Sequence, residues 1–278
     1  MNFFSLFKRN LIYKFKKKIS IDRDSFPEKN LDQLFFYYGS DKADYFQNKD
    51  TRGHGFSKFY EKQLSILKNK PLNILEIGSY AGASAAAFSK YFYNSKIFCF
   101  DINISNFKFY SKGIDVYGLD IKNYKKAREI LKKIFIKNDK PYFDLIIDDG
   151  SHNLDDMLIS FKNFFKFIKK GGFYIIEDAS HAIGGKYHDE NVGSCKYSSI
   201  CIFRVLRDQV QLPCHIQREF QVHERLFGMM DGARGHLEIG AVVVEVVDGR
   251  ADEHADERAV AVALLLTRFA PRVDDQRR

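Results

Sequence analysis

The chain has 278 residues, 45% of them hydrophobic and 29% charged, with a net charge of +8. That is enough for one large α/β domain with appendages, the composition reads as soluble and globular, and no apolar run nears the ~20 residues that span a bilayer. No aromatic–basic RNA motif accompanies the basic excess, so nucleic acid is not an expected partner and lysine-rich solvated helix faces account for the charge.

Residues 1–18 place Phe3, Phe4, Phe7, Leu11 and Phe15 at helical spacing among Lys8, Arg9, Lys14, Lys16, Lys17 and Lys18. The pattern fits a helix making peripheral contact with an anionic membrane surface, and equally one packed on its own domain or on a second subunit of a homo-oligomer. The interleaved charges leave no signal-peptide core. The four cysteines (Cys99, Cys195, Cys201, Cys214) lack zinc-like spacing, so a reduced, cytoplasmic protein is expected. Residues 31–69 predict helical stretches around the polar loop Tyr38-Gly39-Ser40-Asp41-Lys42 and the segment Gly53-His54-Gly55-Phe56.

Strands and helices then alternate. Leu72–Ile77, Ile97–Phe100, Val116–Tyr117 and Phe143–Ile147 read as strands. Ala83–Tyr93, Tyr124–Ile136 and Leu154–Ile168 read as helices, the last with Leu158, Phe161, Phe165 and Ile168 on one face. Gly171-Gly172 is expected to turn the chain into a strand over Phe173–Ile176. This βαβα order predicts a Rossmann-like parallel sheet with helices on both faces. The expected division is an N-terminal helical or lid region over 1–69, a central domain over 70–200 and an atypical tail over 201–278.

The tail is marked by a break in composition. Every lysine lies at or before Lys196, asparagine stops at Asn191, and Tyr197 is the last tyrosine. Residues 1–196 hold 33 basic against 23 acidic side chains, net +10, and residues 197–278 hold 11 against 13, net −2. Alanine, valine and arginine dominate beyond the break, as in the runs over 241–247 and 259–266. The change reads as an appended domain or, preferably, as a fused or frame-shifted gene end.

Chemistry concentrates where apolar runs end in acids. Leu75-Glu76-Ile77-Gly78-Ser79-Tyr80-Ala81-Gly82 is a strand tip followed by a glycine turn, without the GxGxxG of a dinucleotide site. Asp101 ends the next strand, about 20 residues further on, placed to accept both ribose hydroxyls of a nucleoside. Asp148-Asp149-Gly150-Ser151-His152 and Ile175-Ile176-Glu177-Asp178 end two further strands. Asp149 and Glu177 are separated by one strand-to-strand crossover, so their tips are expected to be adjacent. Asp149, Glu177 and Asp178 then form a hard-oxygen set suited to Mg2+, with room for two substrate hydroxyls. His152 is placed to take a proton near neutral pH.

These motifs resemble the S-adenosylmethionine-dependent class I methyltransferases. They are most similar to the metal-dependent sugar O-methyltransferases of the macrocin and mycinamicin type, the group that also holds the cephalosporin hydroxylase-like proteins. Tyr38-Gly39-Ser40-Asp41-Lys42, His54-Gly55-Phe56 and Tyr60-Glu61 resemble the N-terminal pattern of that group, and the likeness covers roughly residues 31–185. It implies that Glu76, Gly78, Ser79, Gly82, Asp101 and Asp120 hold S-adenosylmethionine. It implies that Asp149, Glu177 and Asp178 bind Mg2+ and that Asp149 and His152 are catalytic, with His152 the general base. The implied acceptor is a vicinal-diol hydroxyl of a sugar-containing small molecule, natural product or polysaccharide; a phenolic diol is an open alternative. Gly118-Leu119-Asp120 departs from the usual Gly-Asp-Gln after the third strand. The group's closing strands are not recognisable after Tyr197, and Phe203-Arg204-Val205-Leu206-Arg207-Asp208 faintly resembles its next helix. The competing expectation is a non-catalytic nucleoside-binding or interaction protein left by a truncated or fused gene. A dehydrogenase on the same sheet is disfavoured by the missing GxGxxG.

Overall fold

A row of backbone pairings fixes where the strands end, and it is the feature from which the site follows. The computed structural model describes residues 3–46, 51–138, 142–178, 199–205 and 242–248. In chain order the elements are α1 (Phe3–Phe15), β1 (Ile19–Ser20), α2 (Leu31–Tyr38), β2 (Tyr45–Phe46), β3 (Thr51–Arg52), α3 (Ser57–Leu64), β4 (Asn73–Ile77), α4 (Ala83–Tyr91), β5 (Lys96–Asp101), β6 (Phe109–Tyr110) and β7 (Ile114–Gly118). They continue as α5 (Tyr124–Asn138), β8 (Phe143–Asp148), α6 (Leu154–Phe164), β9 (Ile168–Ile176), β10 (Ser199–Val205) and β11 (Val242–Asp248).

Seven strands form one sheet in the order β11-β10-β9-β8-β4-β5-β7. The five from β9 to β7 are parallel, and β10 and β11 add antiparallel. The central strands are mostly apolar because both of their faces are covered, with Glu76 and Asp144 buried among them. Alternate residues enter two separate cores. Ile74, Ile97, Cys99, Leu145, Ile147 and Ile175 pack with α2, α3 and α4 on one face. Leu75, Ile77, Phe98, Phe100, Ile146, Tyr174 and Ile176 pack with residues of α5 and α6 on the other. The expected Rossmann-like parallel sheet with helices on both faces is therefore what the chain builds.

Helices α2 and α3 belong to the first core. Phe35 meets Phe88 edge-on at 5.2 Å between ring centroids, and Tyr60 meets the same ring at 5.3 Å. α2 is bounded by strong local signals. Asn30 and Gln33 form a reciprocal capping box, and Gly39 closes the helix at φ 77°.

Three sequence expectations are corrected. The helix expected over Leu154–Ile168 ends at Phe164, followed by a 3-10 turn over Phe165–Phe167, and Ile168 opens the next strand. Gly171-Gly172 does not precede that strand but lies inside it, as a bulge: Phe143 pairs with Ile168 whereas Leu145 pairs with Phe173. Gly171 takes φ 77° there, a conformation glycine adopts without penalty. Two closing strands do exist beyond Tyr197, and Phe203–Val205, expected as helix, is strand, with Phe203 and Arg204 paired to Tyr174 and Phe173 of β9. The expected boundary at 200/201 falls within β10. Residues 206–208 and 259–266 lie outside the described residues.

Candidate active site

The strand register puts Tyr117, Phe100, Ile77, Asp148 and Ile176 in one row across β7, β5, β4, β8 and β9. The residues that follow form the rim: Gly118, Asp101, Gly78, Asp149 and Glu177. Backbone bonds hold this second row too, from Gly78 N to Phe100 O, Asp149 N to Ile77 O and Glu177 N to Asp148 O, at 2.8 to 3.0 Å. Two-residue alternation aims Glu76, Asp101, Asp149 and Glu177 to the face that carries α2 to α4. Asp148, of opposite parity, instead accepts a hydrogen bond from the Tyr174 hydroxyl at 3.1 Å.

On the β4–β5–β7 side the rim is a glycine turn. Gly78 (φ 85°) and Gly82 (φ 79°) are left-handed, as is Tyr80 (φ 41°). A side chain at Gly78 would overlap the Asp149 carbonyl, and one at Gly82 would strike the Phe107 ring. Asp101 Oδ2 accepts from Tyr80 N at 2.7 Å and its Oδ1 from Asn103 N at 2.5 Å, so it pins the turn to its own loop. Asp120 Oδ1 accepts from Lys122 N at 3.0 Å. Ser79 is buried and donates to Glu76 O at 3.2 Å. Glu76 is fully buried, with its carboxylate accepting from Ser84, and burial raises it to about 7 although Lys42 pulls the other way.

On the β8–β9 side the acids crowd together. His152 Nε2 lies 3.0 Å from Asp149 Oδ1, and its Nδ1 lies 3.7 Å from Asp178 Oδ2. His152 (φ 55°) and Asp178 (φ 52°) both occupy the left-handed region, which non-glycine residues hold at a cost and mostly at functional sites. Ligand atoms of Asp149, His152 and Asp178 lie within 4.8 Å of one another. Among the described residues Asp178 Oδ1 is buried with no hydrogen-bond partner, which a low-dielectric interior does not tolerate cheaply. An orphaned carboxylate oxygen beside a second carboxylate and an imidazole fits a hard divalent cation such as Mg2+.

Lys42, from the loop after α2, enters this side from above. Only 2% of its side chain is exposed, and its Nζ lies 2.5 Å from both Asp149 Oδ2 and Glu177 Oε2. Tyr60, fully buried, donates to Glu177 Oε1. Both oxygens of Glu177, expected among the metal ligands, are thus engaged by the N-terminal segment, while Asp149 divides its two between Lys42 and His152. His54 Nδ1 approaches Asp178 Oδ2 at 3.7 Å. Burial depresses the Lys42 ammonium, but Asp149 and Glu177 outweigh it and hold it protonated. Burial likewise raises Asp149, yet Lys42 and His152 bring it below its usual value. Glu177 is pushed up by burial, and His152 is pushed up by its hydrogen bond to Asp149. Lys42, Tyr60 and His54 carry no role in the sequence reading, which found them only within a resembling motif.

The chain resembles class I S-adenosylmethionine-dependent O-methyltransferases that act in macrolide biosynthesis. It is 30% identical over 167 residues to L-olivosyl-oleandolide 3-O-methyltransferase of Streptomyces antibioticus, covering 53% of this chain and 36% of that protein. It is 26% identical over 181 residues to demethylmacrocin O-methyltransferase of Streptomyces fradiae, covering 57% and 40%. Among solved structures, the MycE methyltransferase of the mycinamycin biosynthetic pathway, in complex with Mg, SAH and mycinamycin VI, aligns at 24% identity and a TM-score of 0.48, over 58% of this chain and 40% of that one. No family model matches. The chain spans between 32% and 42% of the length of the curated relatives it matches.

Proposed function

We propose that the protein is an O-methyltransferase that moves the methyl group of S-adenosylmethionine to a hydroxyl of a sugar-bearing acceptor. One observation carries this reading: a single rim sets the glycine turn at the tip of β4 beside the half-buried Asp149 and His152 and the buried Asp178, with Asp101 two strands away from Asp149. The curated relatives, each an O-methyltransferase by name, support the same class.

On this reading Gly78, Ser79, Gly82, Asp101 and Asp120 line the nucleoside side. Glu76, buried beneath the turn, supports it from within. Asp149 and Asp178 would hold Mg2+, and Glu177, whose two oxygens are taken by Lys42 and Tyr60, would be a ligand only if those partners released it. When bound, Mg2+ orients neighbouring acceptor hydroxyls and eases loss of a proton from one of them. S-adenosylmethionine supplies a methyl already activated on sulfonium. Little else is asked of the chain beyond positioning and one proton transfer. With Nε2–H donated to Asp149, His152 keeps Nδ1 as the proton acceptor, and Asp149 both sets that tautomer and orients the ring. The 31–64 segment, which brings Lys42 and Tyr60 over the acids, acts as the roof that keeps water out. A vicinal diol of a glycan or natural product is the acceptor we favour, because two neighbouring oxygens suit an ion held by few carboxylates.

The decisive pair of measurements is calorimetric binding of S-adenosylmethionine and methyl transfer to sugar acceptors, on the parent and on His152→Ala. The variant should bind the cofactor as the parent does and turn over ~10²- to 10⁴-fold more slowly. Undiminished turnover would remove His152 from the chemistry. Cofactor binding by a parent that never turns over would favour a non-catalytic nucleoside-binding protein, a reading that the partial span of the relatives and the composition break keep open.

A further inference from the structure

Helix α1 has two unlike sides. One side is fastened to the domain. Lys16 Nζ donates to Ser105 O at 2.8 Å and to Asn106 O at 3.3 Å, Arg9 Nη1 donates to Ile102 O at 3.2 Å, and the Tyr13 ring meets Phe107 edge-on. Asn10 lies directly against Gly118, which has no side chain to obstruct it. The other side carries Phe4, Phe7, Leu11 and Phe15, four large apolar residues at helical spacing that are 72%, 56%, 46% and 77% exposed. Ile12 flanks them, also exposed.

An apolar stripe of this size in water calls for a cover, and its surroundings say of what kind. Lys8, Arg9, Lys14, Lys16, Lys17 and Lys18 lie in or just after the helix, and the first acidic residue of the chain is Asp22. A second copy laid on the same stripe would set these cations against their own images, which disfavours a symmetric contact. An anionic bilayer answers both features at once. Phenylalanine and leucine enter the boundary between headgroups and acyl chains, and lysines stand over the headgroup charge. At 13 residues α1 is too short to cross a bilayer, and among the described residues no helix is long and apolar enough to do so.

We propose that α1 is a docking helix for an anionic lipid surface, with Phe7, Leu11 and Phe15 inserted and Lys8, Lys14 and Lys17 over the headgroups. Because the helix is tied to the loop after Asp101, docking holds the strand-tip rim close to the lipid. The inference does not depend on the reaction the rim performs.

The test is co-sedimentation of the full chain with vesicles of phosphatidylcholine alone and of phosphatidylcholine with one third phosphatidylglycerol. The parent should bind the anionic vesicles at least ~10-fold more tightly, and raised salt should weaken that binding. Phe7→Ser/Leu11→Ser/Phe15→Ser should abolish binding to either vesicle. Lys8→Gln/Lys14→Gln/Lys17→Gln should lose roughly 10²-fold on anionic vesicles alone. All six substitutions sit on exposed positions, so both variants should keep the parent's melting temperature. No vesicle binding by the parent, equal binding to both lipids, or parental binding by the serine variant would each overturn the proposal. So would a lipid-free parent that sedimentation finds dimeric and the serine variant makes monomeric, since the stripe would then be an interface between copies.

Discussion

The two halves of the rim handle buried and half-buried carboxylates differently. On the β5–β7 side, Asp101 and Asp120 each accept a backbone N–H two residues ahead, and Asp101 takes one more from the neighbouring turn. On the β8–β9 side the partners are side chains from the N-terminal segment. Lys42 reaches Asp149 and Glu177 across 107 and 135 residues of sequence, and Tyr60 reaches Glu177 across 117. Local backbone donors suit a surface that a neutral or weakly charged ligand visits. Imported charge is what a cluster of carboxylates requires once it leaves water, because an unpaired buried charge is far costlier than an unpaired amide. The half where the acids crowd therefore depends on another part of the chain for its existence, and the glycine-turn half does not.

Removing Lys42 tests this most severely. Lys42→Met keeps the stem and deletes the charge, leaving the half-buried Asp149 and the fully buried Glu177 without the cation they share. Breaking a buried pair in this way costs roughly 3–5 kcal/mol. Denaturant unfolding in the presence of a chelator should show a loss of that order. Added Mg2+ should then recover more stability in the variant than in the parent, because an ion supplies the missing positive charge. A loss under ~1 kcal/mol would mean that Lys42 is not what neutralises the acids.

Glu76 sharpens the contrast, since it lies between the halves with Ser84 and Cys99 as side-chain partners and, among the described residues, no salt bridge of its own. Burial raises it from its ordinary 4.5 to about 7. Between those two values the folded state holds a proton that the unfolded state has released, so folding stability falls as pH rises through the window and levels off above it. The span corresponds to about 3 kcal/mol. Glu177 and Asp148 are also raised and add slope of the same sign. Glu76→Gln should therefore flatten the metal-free pH profile between pH 5 and 7 by its own share and be the more stable protein at pH 8. An unchanged profile would show that Glu76 is already charged when folded.

Most of this frame is legible in the sequence, for identifiable reasons. Central parallel strands read as predominantly apolar runs, so Asn73–Ile77, Lys96–Asp101 and Phe143–Asp148 lie within a residue of where the pattern puts them. The adjacency of Asp149 and Glu177 follows from one crossover of ordinary length. The end of α6 is not legible, because Ile168 continues the spacing of Phe161 and Phe165 while belonging to a strand. The roof is hidden for a different reason. A lysine in a polar loop reads as solvated, and nothing local to Lys42 announces two carboxylates more than a hundred residues away. The closing strands were obscured by the change in composition, although the β-branched run from Val242 to Val247 carries a strand signal of its own.

The smallest expected effect comes from the locally satisfied half. Asp101→Ala removes the acceptor for Tyr80 N–H and Asn103 N–H, two bonds to a charged group at an exposed-to-intermediate site, and it releases a turn whose Tyr80 is held at φ 41°. Water can reach both donors once the carboxylate is gone, so the loss of stability should be only about 1–2 kcal/mol, below that of Lys42→Met. Its signature lies in ligand binding. If Asp101 faces the ribose of S-adenosylmethionine, calorimetry should find the cofactor bound at least ~10-fold more weakly, one lost hydrogen-bonded charge being worth that much. Mg2+ affinity should stay at the parent's value, because Asp101's side-chain bonds go to Tyr80 N and Asn103 N, not to the Asp149–Asp178 cluster. A variant that loses both affinities together would show that the two halves of the rim are one cooperative unit, and the contrast between them would fail.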